Sequence, residues 1–292
     1  MRNQCEPVSG RVKASLQLHF EHDLVSRHTV LRECKQEAPL RVVRAFTLED
    51  GAALVHLHNV SGGLLGGDQL EFVIDVGPEA SAQLTSTGAT RVYRALDHDG
   101  DTIQVNRIRV AENGMLEYVP DPLIPFSGAR LLQSTSIDLA SGAGLFWWDV
   151  VAPGREAHNE LFAYHRIELR TKVQALRKQI AAERMCVEPR KRNPTSPGRM
   201  GTYRYWTTFY ICRVGASNKM WLEAEQHLRG VAAGLSQPQS ALWGVSTLPA
   251  HGLVVRGLTV HGRDAIAGVR VLWQRAKPWL FGKEAILPRK IN

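Results

Sequence analysis

A chain of 292 residues, 44% hydrophobic and 22% charged, has the composition of a globular protein large enough to bury a substantial core. No apolar run is long enough to cross a bilayer, and MRNQCEPVSGRVKAS lacks the apolar centre of a secretion signal, so a cytoplasmic protein is expected. The formal charge of +8 is concentrated in residues 166–204, where eleven Lys or Arg face three acids for a net of +8; the remainder is close to neutral, unlike a surface built throughout for nucleic acid.

In chain order, SLQLHF, LRVVRAF, ALVHLHNV, QLEFVIDV, SAQLTST, TIQVNRIRV and MLEYVP read as strands, separated by the turn formers EDG, SGG, GPE, DHDGD and AENG. Regular spacing without intervening helices predicts a mainly β protein of stacked antiparallel sheets, with a β-helix-like coil as the related form. SGAGLFWWDVV (141–151) reads as a short helix ended by Pro153-Gly154. RTKVQALRKQIAAERM fits a helix nearly as well as a bent hairpin, inside a basic 166–204 segment expected to be partly flexible within a single domain spanning 1–292. NKMWLEAEQHLRGVAAGL places Trp221, Ala224, Leu228, Val231 and Leu235 on one helical face, with Asn218 as cap. A further helix runs from Arg263 and stops before Pro278, giving two or three helices mostly in the C-terminal third.

GGLLGGD (62–68) resembles a phosphate loop in glycine content but ends in a carboxylate and strand-like residues, and GLTVHGRD lacks the Lys and hydroxyl that such a loop requires, so nucleotide binding is not expected. Glycines 62, 63, 66 and 67 suit a close approach of backbone to its neighbours, with Asp68 projecting from it. His56 and His58 stand two apart on a strand and form an incomplete metal pair, as do His19 and His22. DHDGD lacks the spacing of a calcium loop. Cys5, Cys34, Cys186 and Cys212 are scattered, as expected of reduced thiols. No nucleophile–base motif is present, so no catalytic residue is assigned. What remains is a set of polar groups in apolar or glycine-rich surroundings: Asp68, Thr90, Arg91, Asp149, Arg155, Glu160, Glu183 and Arg184. Either each forms a structural ion pair or cap, or several converge on an interior polar passage.

Taken in order, GRVKASLQLHF, LRVVRAF, LHNVSGGLLGGDQLEF, STGATRVYRA, LEYVPDPLIPFSGARL, FWWDVVAPGREAHNELF and VLWQRAKPWLFGKEAILPR resemble the urease accessory protein family UreD, also called UreH. Residues 172–205 depart from that family, being longer and more basic, and Glu183-Arg184 resembles its Glu-Arg pair in an uncertain register. The resemblance implies a non-catalytic scaffold of β-helix-like fold that helps insert nickel into apo-urease. It would act with UreF and, through UreF, with the GTPase UreG, in an assembly that admits two copies. It further implies transient Ni²⁺ with no tightly bound cofactor, on a route lined by Asp68, Thr90, Asp149 and Glu183, with Arg91, Arg155, Glu160 and Arg184 in support. Nickel held at His56 and His58 is a weaker alternative. From another class, a β-rich nucleic-acid-binding module would use the basic 166–204 segment with Tyr203, Tyr205 and Trp206.

Overall fold

A computed structural model describes residues 11–288 apart from position 97; Cys5, Asp97 of the DHDGD turn and Arg289 of the last resembling stretch lie outside them. The chain opens with β1 (Lys13–His22), β2 (Thr29–Gln36), β3 (Leu40–Arg41), β4 (Ala45–Thr47) and β5 (Ala53–Asn59). After the glycine loop come β6 (Gln69–Val76), β7 (Ser81–Ser86), β8 (Thr90–Val92), β9 (Thr102–Val110) and β10 (Met115–Tyr118). Next are β11 (Leu123–Pro125), β12 (Arg130–Leu139), β13 (Gly144–Val151), β14 (Arg166–Ala175), β15 (Lys178–Val187) and β16 (Tyr205–Arg213). Helix α1 (Asn218–Leu235), β17 (Ala241–Thr247), β18 (Gly252–Thr259) and helix α2 (Gly262–Phe281) complete the order.

The protein is mainly β, with stacked sheets and two helices. One sheet has seven strands in the order β15-β14-β12-β9-β6-β1-β2. The other follows β17-β18-β16-β13-β10-β7-β5-β3, with β4, β8 and β11 attached at its side. Pairing is antiparallel only toward the edges; β1-β6-β9-β12-β14 and β5-β7-β10-β13 are parallel. The chain passes from a strand of one sheet to a strand of the other and back, so β6, β9 and β12 run the same way with β7 and β10 as their return paths. Strand spacing does not distinguish this coil from a meander, because the return strand does the work of the usual crossover helix.

Two apolar layers follow. Leu16, Leu18, Phe20, Leu84, Leu131 and Trp147 belong to the core between the sheets. Phe146, Trp148, Phe209, Trp221, Leu228 and Trp273 fill a second core between the eleven-stranded sheet and the helices. This explains why 141–151 is a strand and not a helix: β13 is buried on both faces, and such a strand reads as a continuous apolar run without alternation.

Arg166–Ala175 and Lys178–Val187 form an antiparallel hairpin, closed at Leu176 and Arg177, both with positive φ. Such turns usually announce themselves by Asn-Gly, and its absence left the segment ambiguous in sequence. In α1 the cap is Ser217, whose side chain accepts from the Met220 N–H, rather than Asn218. Helix α2 continues through Pro278 to Phe281, because Lys277 and Trp273 are anchored beneath it and Pro278 removes only one donor near the last turn. Among the described residues no helix is long and apolar enough to cross a membrane.

Candidate functional site

The glycine loop lies on β8. Leu64 forms an isolated parallel bridge to Val92, its N–H donates to the Arg91 carbonyl at 2.8 Å, and the Tyr93 N–H donates to its own carbonyl at 2.8 Å. A Cβ on Gly63 would stand 2.6 Å from the Tyr93 ring and 2.7 Å from the Arg91 carbonyl oxygen, so only a bare backbone approaches this closely. Gly66 abuts Ala95 in the same way, while Gly62 and Gly67 turn the chain at φ of +80° and +84°. Asp68 ends the loop, fully buried. Its carboxylate accepts from the Leu65 N–H at 2.9 Å and the Val12 N–H at 3.2 Å, tying the loop to the chain entering β1.

Behind this loop is a cavity of about 310 Å³ between the two sheets, lined by Gly62, Gly63, His58, Thr90, Arg91, Gln104 and Tyr118 among others; Asp68 is not part of its wall. From the cavity a polar layer crosses the core, and strand register creates it. Inward positions of the seven-stranded sheet align as Leu16, Phe72, Asn106, Thr135, Thr171 and Glu183 in one row. Beside it stand Leu70, Gln104, Gln133, Leu169 and Met185. The opposing sheet contributes a row of Tyr118, Trp147 and Tyr210, and another of Asp149, Thr208 and Arg256. Parallel in-register pairing thus sets Asn106 beside Thr135 and Thr171, and Gln104 beside Gln133, at mid-core, with apolar rows on either side.

Hydrogen bonds tie these groups into three sets, around Asn106, Asp149 and Glu183. Gln104 donates to Asn106 at 3.1 Å, and Asn106 donates to Thr135 at 2.9 Å. Gln133 Nε2 and Trp147 Nε1 donate to the two oxygens of Asp149, at 3.3 and 3.2 Å. Tyr118 stacks on Trp147 with centroids 4.0 Å apart, leading from the cavity toward Asp149. Glu183 accepts from the Tyr210 hydroxyl at 2.6 Å and from Arg256 Nη2 at 3.0 Å. Burial pushes the Asp149 carboxyl up to about 6; the two donors pull against this, and the neighbouring Glu183 carboxylate adds to it. A carboxylate held in this way has an unmet demand for positive charge.

The structure therefore brings Asp149 and Glu183 together, and sets Thr90 and Arg91 in the wall of the adjoining cavity. The remaining residues singled out in the sequence lie elsewhere. Arg155 forms a two-point ion pair with Glu160 and lies 4.1 Å over the Phe126 ring, in an external loop. Arg184 follows Glu183 on a strand and so points to the opposite face, where it joins Arg166 and Arg170 around the buried Glu168. Hydrogen bonds from Arg184 and then the other two hold the Glu168 carboxyl far below the usual range, against the effect of burial. His56 is buried edge-on to Phe46, whereas His58 reaches the cavity wall, with its pKa lowered by burial and by His56. Among the described residues no three His, Cys, Asp or Glu side chains are grouped to hold a metal ion.

Sequence reasoning missed Gln104, Asn106, Gln133, Thr135, Tyr210 and Arg256. Their signal is present: Gln104 and Asn106 fall at the alternating positions of TIQVNRIRV that also carry Thr102, Ile108 and Val110, all buried. A polar pair at core positions is visible once the strand's inner face is assigned. Also missed was a fully buried cluster in the second core, where Lys277 Nζ and Trp273 Nε1 each donate to Glu117 at 2.7 Å.

Comparison with known proteins adds an independent line. The model of the family described as UreD urease accessory protein matches residues 12–292. A protein named urease accessory protein UreD from Herpetosiphon aurantiacus is 44% identical over 276 residues, covering 94% of this chain and 95% of its own length. One of the same name from Marinobacter nauticus is 31% identical over 284 residues, covering 96% and 92%. Another, from Staphylococcus saprophyticus, is 27% identical over 234 residues, covering 80% and 81%.

Proposed function

The chain belongs to the UreD urease accessory protein family and so to the machinery of urease maturation, and from that premise we propose that it is a scaffold through which Ni²⁺ reaches apo-urease along the polar layer between its two sheets. The observation that carries this reading is that strand register sets polar side chains side by side from the cavity at Thr90, Gln104 and Tyr118 to Asp149 and Glu183. A structural role alone would be met by scattered ion pairs. Buried polar groups at mid-core are costly, and here they lead to two carboxylates whose ionised forms oppose each other.

The donor chemistry suits transit. Carboxylate, amide and hydroxyl oxygens attract a divalent cation, whereas Ni²⁺ prefers nitrogen, so a route of oxygens draws the ion in without holding it. His58, whose charged form burial and His56 disfavour, is a nitrogen donor at the cavity wall. Asp68 takes a positioning part: by binding the Leu65 and Val12 N–H groups it fixes the loop that lines the cavity. The chain works in this reading as part of a complex with UreF and, through UreF, the GTPase UreG. Energy from GTP would then come from a partner, since GGLLGGD spends its carboxylate on its own backbone. The test is the nickel content of urease matured with Asp149→Leu or Glu183→Gln, with the folded state of each variant checked by circular dichroism. Nickel content at a small fraction of wild type is expected; wild-type content in both removes the passage.

A further inference from the structure

The inner row of the seven-stranded sheet ends at Glu183, and what stands beyond it is a cation. Arg256 reaches Glu183 from the opposite sheet, with Nη2 at 3.0 Å from Oε2 and Nε at 3.5 Å from Oε1, so the guanidinium faces both carboxylate oxygens. Its own side chain is 57% exposed, while that of Glu183 is 19% exposed. Arg256 therefore sits where the polar layer meets solvent. On β17 its cross-strand neighbour is Gly244, where an added Cβ would meet nothing within 4 Å, so the guanidinium has open space on that side.

We propose that Arg256 is a cationic plug at the solvent end of the polar layer: while paired, it occupies the carboxylate that a divalent cation would need, and it admits or releases a cation only by swinging outward. This rests on the passage reading and adds its regulation. Arginine keeps its charge at any physiological pH, so the plug opens by movement and not by deprotonation. Asp149, close enough to Glu183 for their charges to oppose each other, makes the inner side attractive to a cation, while Arg256 repels one at the mouth. Attraction inside and repulsion at the mouth keep ions from entering or leaving unassisted. Tyr210 also donates to Oε2 of Glu183, so the carboxylate keeps one anchor when Arg256 moves away.

The test is calorimetric titration of the purified full-length chain with NiCl₂. Arg256→Met should bind Ni²⁺ at least tenfold more tightly than wild type, Arg256→Lys should behave as wild type, and Arg256→Met/Glu183→Gln should lose the gain. Arg256→Gln repeats the measurement with a side chain that suits an exposed site, should the methionine variant not fold. Wild-type affinity in the Met and Gln variants overturns the plug, and so does a gain that survives Glu183→Gln. Urease loading separates this from the passage itself. Full loading with both Glu183→Gln and Asp149→Leu sinks the passage, whereas lost loading with Glu183→Gln, alongside unchanged Ni²⁺ affinity in Arg256→Met, sinks only the plug.

Discussion

Replacing Lys277 by Met removes a charge from the second core while keeping most of the side-chain volume. Lys277 is fully buried, with its ammonium 2.7 Å from Glu117 and 3.5 Å from Asp50. Glu117 is equally buried and would retain only the Trp273 indole N–H at 2.7 Å, with Asp50 still nearby. Burial already drives the Glu117 pKa upward and Lys277 is the main opposing influence, so its loss leaves an uncompensated carboxylate or forces a proton onto it. Removing one member of a buried ion pair costs about 3–5 kcal/mol. At about 2.1 cal/mol/K per residue, a 292-residue chain unfolds with an entropy near 0.6 kcal/mol/K, so the melting temperature should fall by about 5–8 °C. Scanning calorimetry of the purified protein measures this directly. Lys277→Met/Glu117→Gln should recover at least half of the loss, because the orphaned charge is then gone. A Lys277→Met protein that melts within about 1 °C of wild type would refute the reasoning, since the pair would then contribute nothing beyond its volume.

Two further outcomes follow from the site. The Asp149 pKa is raised from 3.8 to about 6 in the folded chain, so the fold binds that proton more tightly than the unfolded chain does. Stability from this group is then present below about pH 4 and lost as pH rises through about 6. The full cost of the ionised form is about 3 kcal/mol. Asp149→Asn should therefore exceed wild type in urea-unfolding stability above pH 6 and converge with it near pH 4; parallel curves would count against the shift. Gly63→Ala drives a Cβ against the Arg91 carbonyl oxygen, which belongs to a paired strand and cannot yield freely. It should cost about 1–3 kcal/mol. Gly88→Ala, on another stretch of the same cavity wall but with open space around its Cβ, is the control and should melt near wild type.

How much of this was legible in the amino-acid order depends on the range of the interaction involved. Strands such as β6, β7 and β9 announce themselves because alternation is a local property, set by the two-residue period of an extended chain. Helix α1 is likewise read from its 3.6-residue stripe, with Trp221, Ala224 and Leu228 buried as the spacing requires. The glycines of 62–67 mark a close approach, although not what they approach. Where two layers cover one strand the signal disappears, which is how β13 came to look helical.

The sequence by itself thus determined the alternating strands, helix α1, the tight glycine loop and, through its ordered motifs, the family. Only the tertiary structure decided that the central strands run parallel, that α2 passes through Pro278, and that Glu117 meets Lys277. It alone brought Glu183 to Arg256, 73 residues apart in the chain. The physical reason is that inward faces are set by register between strands far apart in sequence, and a charge buried there selects its partner by position in space.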